Sequence, residues 1–170
     1  IREVYQRYET SFEGEAVPPL RAIAVGVPGT VDPDGVRVIS APNIKGWNGL
    51  LLQRRLSDQF PDVSIRIVND INAAAIAEEA HGVAHGCSDF VFASFRQGIG
   101  AGIFVNGELY RGASGYAGEI GKMAFESDFQ FSKEDNLGYL EKQYGESPLI
   151  EAALRRGVVL EPADSGKPAM

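Results

Sequence analysis

Residues 21–29, RAIAVGVPG, form a continuous apolar run closed by proline and glycine, which predicts a buried strand. The turn signal DPDG (32–35) follows, then a short strand over VRVIS (36–40). In NGLLLQRRLSDQF the apolar residues Leu52, Leu56 and Phe60 recur every fourth position, so they share one face of a helix. VSIRIV (63–68) predicts another strand. It passes at once into the alanine-rich helix NDINAAAIAEEAHG, with Gly82 as its stop. DFVFASF (89–95) and GIFVNGELY (102–110) read as strands, and Asn106-Gly107 is a strong hairpin turn signal. Before these elements, IREVYQRYET has a helical pattern and SFEGEAVPPL reads as a loop. Beyond RGASGYAGEIGKM the pattern is helical again in EDNLGYLEKQYG and SPLIEAALRRG. Strands alternate with helices in the first half and the second half opens with a hairpin. The expected class is α/β, with two lobes meeting near residues 82–88.

Gly98, Gly100 and Gly102 alternate inside FASFRQGIGAGIFVNGEL, a stretch that otherwise reads as strand. Glycine weakens a strand, so the run requires a close approach to the backbone, and a phosphate is one candidate. A dinucleotide-binding fingerprint would continue into a helix, whereas here a second strand follows. A Walker loop would carry Lys-Ser/Thr after its last glycine, and none is present. Two readings remain: a hairpin tip offering N–H groups to phosphates, or glycines that permit a bend in the sheet.

The 170 residues are 44% hydrophobic and 23% charged, enough for a soluble domain with a real core, and the formal charge is −7. That balance argues against a non-specific nucleic-acid or anionic-membrane binder. No run is long and apolar enough to span a bilayer, and no secretory leader pattern is visible. The single Cys87 cannot form an internal disulfide and points to the cytoplasm. Both ends read as cut, as expected of an excised fragment.

In IVNDINAAA, Asn69 and Asp70 fall where a strand ends and a helix begins. Asp70 suits an N-cap, and it equally suits a general base facing a cleft from the carboxyl end of a strand. Glu119, in the glycine-rich turn GASGYAGEIGK, suits a carboxylate that takes hydroxyl hydrogen bonds, or a plain surface residue. His81 and His85 are four apart, but Gly82 interrupts the helix that would align them, and no further ligands complete a zinc site.

The segments GVPGTVDPDG, APNIKGW, VNDINAAAIAE, GIGAGIFVNGELYRGASGYAGEIG and LGYLE occur in an order and spacing that resemble the ROK family of repressors and sugar kinases. The resemblance runs from about Ala22 to about Glu141. It implies an actin-like, ribonuclease H-like fold with two lobes around a sugar cleft. Residues 1–85 would be part of the N-terminal lobe and 86–170 part of the C-terminal one. The first phosphate loop or a winged helix, and the adenosine-contacting segment, would lie outside this chain. It further implies that Asn43 and Asn69 contact sugar hydroxyls, that Asp70 is the catalytic base in kinase members and otherwise a sugar ligand, and that Glu119, Glu141 and the residue at position 122, here Lys122, bind the sugar. Gly98, Gly100 and Gly102 would line the nucleotide phosphates.

The departures from the family pattern carry as much weight. Where kinases of the family have E-I-G-H, whose His touches sugar and ligates zinc, this chain has EIGK with Lys122. An ammonium has no lone pair to give a metal, and AFESDFQFSKEDNLGYLE lacks the family's zinc cysteines, so no zinc is expected. RQG with Gln97 replaces the usual G-T-G phosphate loop. These losses fit a sugar-sensing regulator whose ligand closes the lobes and alters operator-DNA affinity through an N-terminal winged-helix segment. The alternative is a sugar kinase using Mg-ATP, with Asp70 as base. A pure assembly module is a third possibility. A homodimer or higher homo-oligomer is expected by family resemblance, and no membrane partner.

Overall fold

The computed structural model describes residues 2–12, 18–42, 44–96, 98–125 and 138–159. The expectations placed on Asn43, on Gln97 and on the cysteine-free stretch 126–137 fall outside them. The elements in chain order are α1 (Arg2–Thr10), β1 (Ala22–Val27), β2 (Thr30–Val31), β3 (Val38–Ser40), α2 (Leu52–Ser57), β4 (Ser64–Asn69) and α3 (Asp70–His81). They continue with β5 (Phe90–Phe95), β6 (Ile99–Val105), β7 (Glu108–Leu109), a 3₁₀ turn (Ile120–Lys122), α4 (Tyr139–Tyr144) and α5 (Glu146–Arg155).

In the first half β1 and β4 pair in parallel, from Ala22 opposite Ser64 to Val27 opposite Asn69. Parallel neighbours need a crossover, and the β2–β3 hairpin with α2 supplies it. The hairpin closes through Asp32, whose Oδ1 accepts the N–H groups of Val36 at 2.7 Å and Arg37 at 3.1 Å. Val27, Val31, Val38, Leu52, Leu56, Ile65 and Ile67 form one buried cluster, with Trp47 and Leu50 packed on it. Helix α2 ends at Ser57, so Phe60 lies beyond it and meets Tyr5 of α1 edge-on at 6.0 Å. Between β1 and β2, Gly29 has φ +154°, and a Cβ there would strike the Ser40 carbonyl. Only glycine fits, so the GVPG turn is fixed against β3.

In the second half β5, β6 and β7 form an antiparallel sheet. The β6–β7 turn is Asn106-Gly107 with φ +54° and +79°, as the hairpin signal requires. Phe90 stacks on its cross-strand partner Phe104 at 4.6 Å.

The glycine run belongs to this sheet. Strand β6 begins at Ile99, so Gly100 and Gly102 are strand residues, paired with Ser94 and Phe92. Helix α3 lies directly on them. A Cβ at Gly102 would collide with the Ala75 methyl, and one at Gly100 would reach the Ile71 Cδ1. Ile71 and Ala75 are one helical turn apart, so one face of α3 occupies the space that side chains on β6 would fill. The close approach demanded by these two glycines is that of a helix.

Candidate functional site

Strand β4 and helix α3 join without a loop, and the junction sets the site. Asn69 is both the last strand residue and the N-cap of α3, and its Oδ1 accepts the Asn72 N–H at 2.9 Å. Its Nδ2 donates to the Gly29 carbonyl at 2.9 Å, tying the start of the helix to the β1–β2 turn. Capping therefore falls to Asn69 and not to Asp70. Asp70 is the first helical residue and is exposed; among the described residues its carboxylate accepts just the N–H of the adjacent Ile71, at Oδ1 and 3.0 Å.

Glu119 stands just before the 3₁₀ turn. The preceding Gly118, at φ +87°, lies so close to β6 that a Cβ would overlap the Ala101 carbonyl, and its own carbonyl accepts the Ala101 N–H at 2.7 Å. Glu119 Oε1 accepts the hydroxyl of buried Thr30, on β2, at 3.4 Å, a contact between the first half of the chain and the second. Its Oε2 faces Lys122 Nζ at 3.6 Å. The lysine that stands in the histidine position is thus an ion-pair partner of Glu119.

Glu141, on the first turn of α4, accepts the Gly138 N–H through Oε2 at 2.9 Å and the Ile99 N–H through Oε1 at 3.4 Å. It fixes the start of α4 to the start of β6. A Cβ on Gly98 would lie 3.4 Å from its Oε1, so the space above Gly98 is next to a carboxylate.

Asn69, Asp70, Glu119, Lys122, Glu141, Gly98 and Gly100 all line one cavity of about 610 Å³. Small-molecule sites commonly measure about 300–1,000 Å³. Gly102 does not line it, being covered by α3. Thr30, Ser40, Ser94, Arg96 and Glu146 also contribute to the wall. Thr30 lies inside the GVPGT segment without any local mark of a role, and Arg96 and Glu146 carry no motif at all. The last two meet because the Glu146 N–H donates to the Arg96 carbonyl at 3.2 Å. Among the described residues the charged lining comprises four carboxylates, Asp70, Glu119, Glu141 and Glu146, against Arg96 and Lys122. No histidine or cysteine is among the lining residues, and His85 instead hydrogen-bonds the Glu79 carbonyl at 3.0 Å. Among the described residues no His/Cys/Asp/Glu group is arranged to hold a metal, and no helix is long and apolar enough to cross a membrane.

A family model described as ROK family matches residues 9–144. The xylose repressor of Caldicellulosiruptor bescii is 33% identical over 163 residues, covering 93% of this chain and 40% of that protein. The DNA-binding transcriptional dual regulator NagC of Escherichia coli K12 is 35% identical over 122 residues, covering 72% of this chain and 30% of that protein. Among solved structures, a ROK family glucokinase from Streptomyces griseus in complex with glucose and AMPPNP matches with a TM-score of 0.72 at 27% identity. The match covers 92% of this chain and 48% of that one. A ROK family transcriptional regulator, a homolog of the Escherichia coli MLC protein, matches with a TM-score of 0.75 at 24% identity, over 95% and 39% of the two chains. The chain thus spans 30–40% of the length of these two curated relatives.

Proposed function

The chain belongs to the ROK family, and from that premise we propose that it is the sugar-sensing part of a transcriptional regulator. Its fold is the actin-like one of the family's sugar kinases and regulators. The observation that carries the reading is the pairing of Lys122 with Glu119 inside the cavity, where the family's kinases have a zinc-binding histidine. The donor set does not suit zinc, because an ammonium engaged with a carboxylate offers no lone pair and neither His nor Cys lines the cavity. The site reads as one for hydroxyl groups: Asp70, Glu119 and Glu141 accept, Asn69 and Lys122 orient, and the walls come from both halves of the chain. Thr30, on β2, and Glu119, before the 3₁₀ turn, join the two halves of the chain, so a ligand bound there favours one relative arrangement of the halves over another. In the whole protein that preference would alter operator affinity through a DNA-binding segment outside this chain, in a homodimer or higher homo-oligomer.

One observation favours a second reading, a kinase that moves phosphate from Mg-ATP to a hexose hydroxyl. Asp70 is relieved of capping by Asn69 and stands exposed at the cleft, as a general base would. Against it, Gly100 and Gly102 make room for α3, and the Ile99 N–H is given to Glu141, which leaves the glycine run little backbone to offer a nucleotide. The two readings separate in one experiment on the full-length protein. Operator-DNA binding is titrated with sugar while ATP-dependent sugar phosphorylation is followed in parallel. A sugar-dependent shift in DNA affinity without turnover supports the regulator. Turnover without a DNA shift supports the kinase and overturns the proposal.

A further inference from the structure

Resting on the sugar-sensing reading, we infer that the ligand is an unphosphorylated sugar and that the cavity discriminates against sugar phosphates. A phosphate monoester is a multiply charged acceptor at neutral pH, so its site must supply N–H donors and positive charge. Among the described lining residues the balance is the reverse, with four carboxylates, Asp70, Glu119, Glu141 and Glu146, to two cations, Arg96 and Lys122. At the start of the glycine run, where a backbone amide would meet a phosphate, the Ile99 N–H already donates to Glu141 Oε1 at 3.4 Å. The same carboxylate lies 3.4 Å from the position of a Cβ on Gly98, so an internal anion stands beside that glycine. Glu141 is held there by a second bond, from the Gly138 N–H at 2.9 Å.

The cations lead to the same conclusion. Lys122 faces Glu119 at 3.6 Å, so its charge is matched within the site. Arg96 is the one cationic lining residue without an ion pair among the described residues; its carbonyl accepts the Glu146 backbone N–H at 3.2 Å, and Glu146 lines the same wall. A phosphate seated at Arg96 would share the cavity with Glu141 and Glu146. The carboxylates are in turn good acceptors for sugar hydroxyls, which are donors as well as acceptors and bring no charge.

The test is calorimetric titration of the full-length protein with a panel of aldopentoses and aldohexoses, N-acetylglucosamine included, each beside its terminal phosphate ester. At least one free sugar is expected to bind, with its ester at least tenfold weaker. Raising the salt from about 50 to about 500 mM screens charge interactions between exposed groups. It is expected to leave the free sugar within twofold and to narrow the gap to the ester. An ester that binds more tightly than its free sugar, or loses affinity as salt rises, overturns this inference and leaves the sugar-sensing reading standing. A panel in which nothing binds overturns both.

Discussion

Replacing Gly102 by alanine tests whether the glycine run serves helix packing or phosphate binding. The backbone of β6 at this position is ordinary strand, so alanine introduces no conformational strain of its own. The added methyl would collide with the Ala75 methyl, and it would stand 3.3 Å from the Ile71 carbonyl and 3.5 Å from Asn72 Oδ1. Ala75 is fully buried, so the helix cannot accommodate the methyl by rotating a side chain and must move away from the sheet. Overpacking of this kind costs about 1–3 kcal/mol. For a chain of this length each kilocalorie lowers Tm by about 2–4 °C, so a loss of several degrees is expected in thermal unfolding. The displaced helix carries Asn69 and Asp70 at its start, so sugar affinity is expected to fall with it. Ala75→Gly removes the atom that is struck. In the double variant the two losses should couple by more than about 0.5 kcal/mol, although glycine within a helix costs about 1 kcal/mol by itself. If Gly102→Ala unfolds at the wild-type temperature, or the cycle shows no coupling, the packing argument is wrong.

Three further outcomes are expected. Asn69→Ala removes the N-cap of α3 and the bond to the Gly29 carbonyl, and should lower stability by about 1–2 kcal/mol in urea unfolding. Lys122→Met releases Glu119; the pair is part-exposed, so stability should change by less than about 1 kcal/mol, while calorimetry should show sugar affinity reduced several-fold. The Asp89 carboxyl is held below the ordinary carboxylate range by the Asn106 N–H and then by the Ser88 hydroxyl. Its ionised form is therefore favoured in the folded state. The stability it contributes is present above the ordinary carboxylate pKa of about 4 and is lost as pH falls through the lowered value. Tm measured from neutral pH to about pH 2 should fall less in Asp89→Asn than in the wild type.

Much of the architecture is legible in the sequence wherever a local rule decides it. The Asn106-Gly107 turn needs two residues at positive φ, and those are the residues that adopt it readily. The apolar run closed by Pro28 and Gly29 becomes β1 and the alanine-rich segment becomes α3 within a residue or two of the expected limits. The failures lie where a distant contact decides. Asn69 and Asp70 are equally good caps by local preference, and the bond from Asn69 to the carbonyl of Gly29, forty residues earlier, accompanies the choice. Gly100 and Gly102 take their reason from Ile71 and Ala75, some thirty residues away, which strand periodicity cannot reveal. Arg96 and Glu146 reach the cavity wall because α5 begins against the end of β5. Asn69, Asp70, Glu119, Lys122 and Glu141, marked by motif order, do come together on one cavity.

If this cavity holds a sugar through its carboxylates, as proposed, Asp70 serves the ligand and not the fold. The most direct measurement is calorimetric sugar binding by wild type and Asp70→Ala, with Tm recorded for both. Asp70 caps nothing beyond its neighbour's N–H and makes no ion pair among the described residues. Its loss should therefore cost the helix no more than about 1 kcal/mol. Sugar affinity is expected to fall at least tenfold at nearly unchanged Tm. Unchanged affinity, or a loss of binding that merely follows unfolding, would contradict the proposal.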